Sequence, residues 1–156
     1  MRTETIEFAI VLDPQHWSHP PGAEIAINNT VIWDNFVARR TTVRFQHTLQ
    51  HGQTQSLTIR RYNKVNDQPT ALHGMRKDQL LTIQQITIDG VDIQNIIYSR
   101  SWYEPDYPEP WAQQQQQLGQ ELLSQVPGET VLGHNGVWHL TFESPFYRWL
   151  MDDVWA

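Results

Sequence analysis

The amino-acid sequence predicts an all-β fold, a jelly-roll-type β-sandwich with a short helical or irregular insertion and a short C-terminal helix. Three observations predict it. Apolar residues recur at every second position in one run after another, the period of a half-buried strand. Turn pairs such as Asn28-Asn29, His51-Gly52 and Asp89-Gly90 separate those runs. Helical spacing is confined to short stretches late in the chain. The 156 residues form one domain, 1–156, long enough for two packed layers, with no internal repeat and no linker.

The first strand is expected over Thr5 to Leu12, with Ile6, Phe8, Ile10 and Leu12 on one face and Asp13-Pro14 as its stop. Two prolines make His16 to Gly22 a loop. Glu24–Asn28 and Thr30–Trp33 read as a hairpin, because asparagine at 28 and 29 tolerates the left-handed backbone that a tight turn needs. Asp34-Asn35 is a second turn signal. Thr41–Leu49 and Ser56–Tyr62 flank His51-Gly52 and read as a hairpin-like pair. Asn63–Asp78 is a polar loop. Leu80–Ile88 is a strand whose phase slips at Gln84-Gln85, the mark of a β-bulge, and Asp89-Gly90 returns it into Val91–Ile93.

Residues 101–126 differ in kind. Ser101 to Trp111 holds three prolines among four aromatics, which excludes a central strand there. Gln113–Gln117, with Leu118, Leu122 and Leu123, suits a short helix around Gly119. The closing stretch, Val131 to Ala156, begins with Gly133 and Gly136 bracketing His134-Asn135, a turn where positive φ is available. Trp138, Leu140 and Phe142 then alternate as a strand. Ser144-Pro145 reads as a cap with proline at the first helical position, and Phe146, Trp149 and Leu150 follow at helical spacing.

Composition removes several functions. There is no cysteine, hence no disulfide, thiolate metal site or cysteine nucleophile. The net charge is -6 and no basic cluster exceeds Arg39-Arg40 or Arg60-Arg61, which argues against nucleic acid. No apolar run is long enough to span a membrane, and the N-terminus does not read as a secretion signal. Lysine is confined to Lys64 and Lys77, while glutamine is abundant and tryptophan numbers seven. Uncharged polar groups and aromatic faces suit a carbohydrate or a wet protein interface.

Two sets of residues carry a resemblance. Phe45, Leu49, Gly52, Leu57 and Ile59 form F-x-x-x-L-x-x-G-x-x-x-x-L-x-I, and Leu81, Ile83, Ile86, Ile88, Asp89 and Gly90 form L-x-I-x-x-I-x-I-D-G. Both resemble β-sandwich carbohydrate-binding modules, the calcium-dependent xylan-binding type in particular. The tail LG-x-NG-x-W-x-L-x-F-x-x-PFY, residues 132–147, resembles structural proteins of tailed phages, cyanophages in particular. Together the resemblance covers roughly half the chain. It implies a virion protein that acts as a glycan-binding adhesin or as a decoration or connector, in contact with glycan, other virion subunits or further copies of itself. Calcium is the one cofactor it brings with it. Asp89 and Asp92, with Asn66 and Asp67, lie near turns, yet no calcium-loop spacing links them.

The residues expected to touch a ligand or partner are Trp102, Tyr103, Tyr107, Trp111 and Trp155. The first four would offer flat, partly apolar faces to sugar rings, or pack together as a lid on the sandwich. Trp155, second from the end, has little chain of its own to hide beneath. His47 and His51 share the spacing of a helical zinc pair but fall on a strand and a turn. No catalytic team stands out. Glu104, Asp106 and Glu109 lie in a proline-rich loop, and Ser101 and Ser144 lack a nucleophile-elbow context. The expectation is a non-catalytic protein, with a small glycan-active enzyme or a cellular carbohydrate-binding module as alternatives.

Overall fold

A computed structural model describes residues 2–16, 19–64 and 79–155. In chain order its strands are β1 (Thr3–Gln15), β2 (Gly22–Ile27), β3 (Thr30–Phe36), β4 (Thr41–Gln50), β5 (Thr54–Tyr62), β6 (Leu80–Ile88), β7 (Val91–Asp92), β8 (Trp102–Pro105), β9 (Val126–Pro127), β10 (Val131–Leu132) and β11 (Gly136–Glu143). Helix α1 spans Gln94–Arg100, α2 spans Trp111–Gln117, and α3 (Phe146–Trp149) runs on into a π-helical turn over Leu150–Val154. The strands form two antiparallel sheets. The five-stranded sheet has the order β10-β6-β1-β4, with β7 also paired to β6, and the six-stranded sheet has the order β3-β2-β5-β11-β8-β9. This is the predicted all-β sandwich.

The alternation read in the sequence places the core between the sheets. Ile6, Phe8, Ile10 and Leu12 of β1 meet Ile25, Ile27, Leu57, Ile59, Trp138 and Leu140 from the other layer, all buried in one cluster. Full burial of each such side chain stabilises the fold by about 1.5–3 kcal/mol. Two turns hold as expected: Asn28 and Asn29 have φ of 50° and 68°, and Asp89 and Gly90 have 49° and 77°. The slip in β6 is a true bulge, since Val11 pairs with Gln85 and Leu12 with Ile83, leaving Gln84 as the extra residue.

Several expectations fail, each for a tertiary reason. β1 does not stop at Asp13-Pro14 but continues to Gln15 along β6 alone. β4 reaches only as far as Leu12, so proline's missing N–H costs no ladder bond on that side. β3 likewise runs through Asp34-Asn35 to Phe36 because β2 pairs it throughout. β4 and β5 are not a hairpin: they lie in opposite sheets, and the His51-Gly52 turn carries the chain across the end of the sandwich. There Gly52 N–H donates to Ser144 O at 2.7 Å, and His51 N–H to Arg2 O at 3.0 Å.

The proline-rich stretch holds a short strand after all. Trp102–Pro105 sits inside the six-stranded sheet between β11 and β9, ending at the first proline. The insertion helix starts at Trp111 and ends before Gly119, whose φ of 82° terminates it. Helix α1 was not foreseen. Its signal is Ile93, Ile96 and Ile97 at helical spacing behind Asp92, whose Oδ1 accepts Gln94 N–H at 2.9 Å. At α3 the cap is not Ser144. Glu4 of β1 accepts both the Ser144 hydroxyl and Phe146 N–H, the latter at 2.9 Å, and so places a carboxylate at the helix start.

Candidate functional site

Strand alternation divides β8 and β11 into an inner and an outer set. Tyr103, Trp138, Leu140 and Phe142 point into the core, so Trp102, Glu104, Val137 and His139 face solvent. The pairing registers then align two transverse rows on the outer face of the six-stranded sheet. One row is Trp102, His139, Thr58, Ala26 and Val31; the next is Glu104, Val137, Arg60, Glu24 and Asp34.

Trp102 is held in place. Its indole stacks on the His139 ring, with centroids 5.0 Å apart and planes 7° from parallel, and its N–H donates to Glu104 Oε1 at 3.0 Å. His139 Nε2 lies 3.5 Å from the same carboxylate, an ion pair only when the imidazole is protonated. Further along the face Arg60 donates to Glu24 at 3.1 Å and lies over the Tyr62 ring, 4.6 Å from its centroid. Gly22 makes room for that ring: a Cβ there would sit 2.3 Å from ring carbons of Tyr62.

Tyr62 also donates to Asp34 Oδ1 at 2.5 Å. Burial first, then this bond and the Asp34 charge, push its phenol from 10.0 up to about 12. A pKa raised on folding favours the protonated form in the native state. Its contribution to stability is full below pH 10 and is lost as the pH climbs from 10 to 12. Thermal melts of Tyr62→Phe should therefore show a shallower decline than the parent protein across that window; identical slopes would contradict the assignment.

The four aromatic residues expected to form one surface are divided among three places, and Trp155 lies in a fourth. Tyr103 is a correction: it is buried, and its hydroxyl donates to His134 O, joining β8 to the turn before β11. Burial raises its phenol pKa well above the ordinary value. Tyr107 and Trp111 do meet, with centroids 6.1 Å apart, and both pack on the His134 ring, at 5.1 and 4.9 Å. The Tyr107 hydroxyl is tied to Leu123 O at 2.7 Å, and burial raises its pKa as well. Trp102 lies at the other end of β8, roughly 10 Å of strand away from Pro105. Trp155 follows the π-helical turn. It is 59 % exposed and continues a line of exposed side chains at four-residue intervals with Tyr147 and Met151.

Sequence reasoning missed His134, His139 and Glu104 as members of these clusters. The signal for His139 was the outward phase of the Trp138-Leu140-Phe142 alternation, and Glu104 shares that phase on β8. Gly133 and Gly136 do not supply positive φ. Gly136 is needed instead for close approach: a Cβ would lie 2.3 Å from Glu104 O.

The metal candidates Asp89 and Asp92 are both engaged in hydrogen bonds. Asp89 Oδ1 accepts Glu7 N–H at 2.7 Å, and the Asp92 carboxylate accepts Gln94 N–H and the Gln85 side-chain amide. Both serve turns. Asn66 and Asp67 lie outside the described residues, and among the described residues no group of three or more His, Asp or Glu side chains is placed to hold a metal ion. His47 sits on β4 and His51 in the turn beyond it, in the extended spacing that separates rather than pairs them. No helix among the described residues is long and apolar enough to cross a membrane.

A separate open cleft of about 350 Å³ lies where β11 passes α1 and the C-terminal turn, lined by Arg100, Thr141, Glu143, Trp149 and Asp153 among others. The Arg100 guanidinium lies 5.7 Å from the Trp149 ring centroid and donates to Asp153 O at 2.8 Å.

No known protein family matches the sequence, and no curated protein does. Two solved structures are similar in fold. One is the selenomethionine form of vCBM60, described in work linking two families of calcium-dependent carbohydrate-binding modules by circular permutation. It is 9% identical, with a TM-score of 0.47 over 86% of this chain and 89% of that one. The other is vCBM60 in complex with galactobiose, 10% identical, with a TM-score of 0.47 over 88% of this chain and 97% of that one.

Proposed function

We propose that this chain is a non-catalytic glycan-binding protein, with its ligand lying on the outer face of the six-stranded sheet at Trp102. The observation that carries the reading is the fixed Trp102–His139 stack, half-exposed and hydrogen-bonded to Glu104. A ring immobilised before the ligand arrives loses little entropy on binding. A sugar's C–H face suits such a ring, while Thr58, Arg60, Glu24 and Glu104 in the adjoining rows offer donors and acceptors for its hydroxyls. Tyr107 and Trp111 provide a second aromatic contact beyond the end of β8.

Within this reading the chain is a virion component, on the resemblance of residues 132–147 to tailed-phage structural proteins. The exposed line Tyr147, Met151 and Trp155 supports a second role, docking on another virion subunit.

A glycan array of algal and bacterial polysaccharides followed by calorimetric titration tests the main reading. Trp102→Ala should weaken the best ligand at least tenfold, about 1.4 kcal/mol, with an unchanged circular dichroism spectrum. Trp155→Ser should leave the titration as it was. A parent protein that binds no glycan, or a Trp102→Ala variant that keeps its affinity, would overturn the proposal.

A further inference from the structure

Among the described residues the sheets end in four places, and three of them are blunted. β9 is two residues long, β6 is flanked only by the two-residue β7 and β10, and β3 carries a bulge at Ile32 and an acidic Asp34. Edges of that kind resist pairing with other chains. β4 is different. It makes ten consecutive pairs with β1, Thr41 to Gln50, with no bulge or proline and one charged residue, Arg44, whose guanidinium lies 3.9 Å from Glu7 of β1.

The phase of its free hydrogen-bonding groups can be read from its neighbour. Asp89 N–H donates to Glu7 O at 2.8 Å, and Glu7 N–H donates to Asp89 Oδ1 at 2.7 Å, so the backbone of Glu7 points toward β6. Alternation turns Phe8 toward β4, and the His51 to Arg2 bond continues that phase. Phe45, His47 and Leu49 therefore spend their N–H and C=O on β1. Thr42, Arg44, Gln46 and Thr48 aim theirs away from the sheet, and their side chains are exposed.

We infer that β4 is a self-association edge, pairing antiparallel with β4 of a second copy across a two-fold axis to join two five-stranded sheets. The occupant follows from the charge pattern and the hydrogen-bond phase. With the axis at Phe45, Gln46 faces the partner's Arg44 and Thr48 faces the partner's Thr42. The outward-pointing groups are then in hydrogen-bonded pairs, and no like charges oppose. The register that would set Arg44 against the partner's Arg44 is disfavoured. Phe45, only partly buried and stacked on Phe8 at 4.9 Å and 12°, meets the partner's Phe45 at a non-hydrogen-bonded position, where side chains approach most closely. The aromatic stack of each core thereby runs on into the next. This edge lies in the sheet that does not carry Trp102, so the inference stands or falls apart from glycan binding.

Sedimentation equilibrium from low micromolar to submillimolar protein, with amide exchange followed by NMR, tests it. The parent protein should dimerise with rising concentration. The amides of Thr42, Arg44, Gln46 and Thr48 should gain protection as it does, while those of Val43, Phe45 and His47 are protected throughout. Gln46→Pro removes a donor that β1 does not use, and Gln46→Arg places a cation against the partner's Arg44. Each should weaken association at least tenfold while melting like the parent protein at a concentration where both are monomeric. A parent protein monomeric throughout, or a dimer that leaves the four amides unprotected, would overturn the inference.

Discussion

Arg61→Ala is expected to destabilise the protein by about 3–5 kcal/mol, the summed cost of depriving buried acceptors of a charged donor and of opening a cavity. The Arg61 side chain is fully buried. It donates to Gln79 O at 2.6 Å, to Gln79 Oε1 at 2.8 Å and to Asn135 Oδ1 at 3.3 Å. Asn135 in turn accepts Lys64 N–H at 2.8 Å, while the Gln79 amide donates to His19 O and Asn63 O. Alanine removes the Arg61 donor from both Gln79 acceptors, while Asn135 Oδ1 keeps Lys64 N–H, and it opens a cavity as long as the guanidinium arm. Methionine fills the volume but not the bonds, so Arg61→Met should recover only part of the loss. In a domain of this size the alanine variant should melt roughly 10 °C lower. A fall of only a degree or two would show that the network is dispensable.

Gly136→Ala is expected to cost about 3 kcal/mol or more, at the upper end of what overpacking does. The cause is space alone, since Gly136 does not have positive φ. Its Cβ would meet Glu104 O at 2.3 Å, Pro105 Cα at 2.9 Å and the Tyr103 hydroxyl at 2.9 Å, and two of the three are backbone atoms that cannot swing aside. Relief requires β8 to part from β11, and β8 carries both Trp102 and Glu104. Stability and, under the proposed function, glycan affinity should therefore fall together. Gly133→Ala is the control, because its Cβ meets only Leu80 Cδ2 at an ordinary 3.6 Å, and it should change stability by less than about 0.5 kcal/mol. Equal effects from the two substitutions would remove close packing at Gly136 as the explanation.

The layers of the sandwich were legible because burial on one face imposes a two-residue period that sequence records directly. Phe8, Leu57, Trp138 and Leu140 announce their side of the sheet without any neighbour being known. Partnership was less legible. Nothing in Thr41–Tyr62 distinguishes a hairpin from two strands sent to opposite layers, because the same tight His51-Gly52 turn serves either path. Prolines misled twice, each time by arguing against a strand that is present. Pro14 is tolerated where the strand has only one partner, and Pro105 closes a strand rather than forbidding it.

The candidate surface was half-legible for the same reason. An aromatic-rich stretch signals that rings must go somewhere, but only the strand phase of Trp102–Pro105 sends Trp102 outward and Tyr103 inward. The stack on His139 joins residues far apart in the chain and left no local trace. Arg61 did leave a trace that its charge obscured: the Arg60-Arg61 pair reads as two surface cations, whereas the alternation of Leu57 and Ile59 exposes the first and buries the second.

That buried arginine has a consequence for how the protein can change. Its network grips Lys64 and Gln79 alike, the two shoulders of residues 65–78, and pins both to the sandwich. Arg61 lies on β5 and Gln79 leads directly into β6, so a single side chain bolts one sheet to the other at this end of the sandwich. A change at that clasp is felt by both layers at once, whereas a substitution elsewhere on either strand is met first by its own sheet.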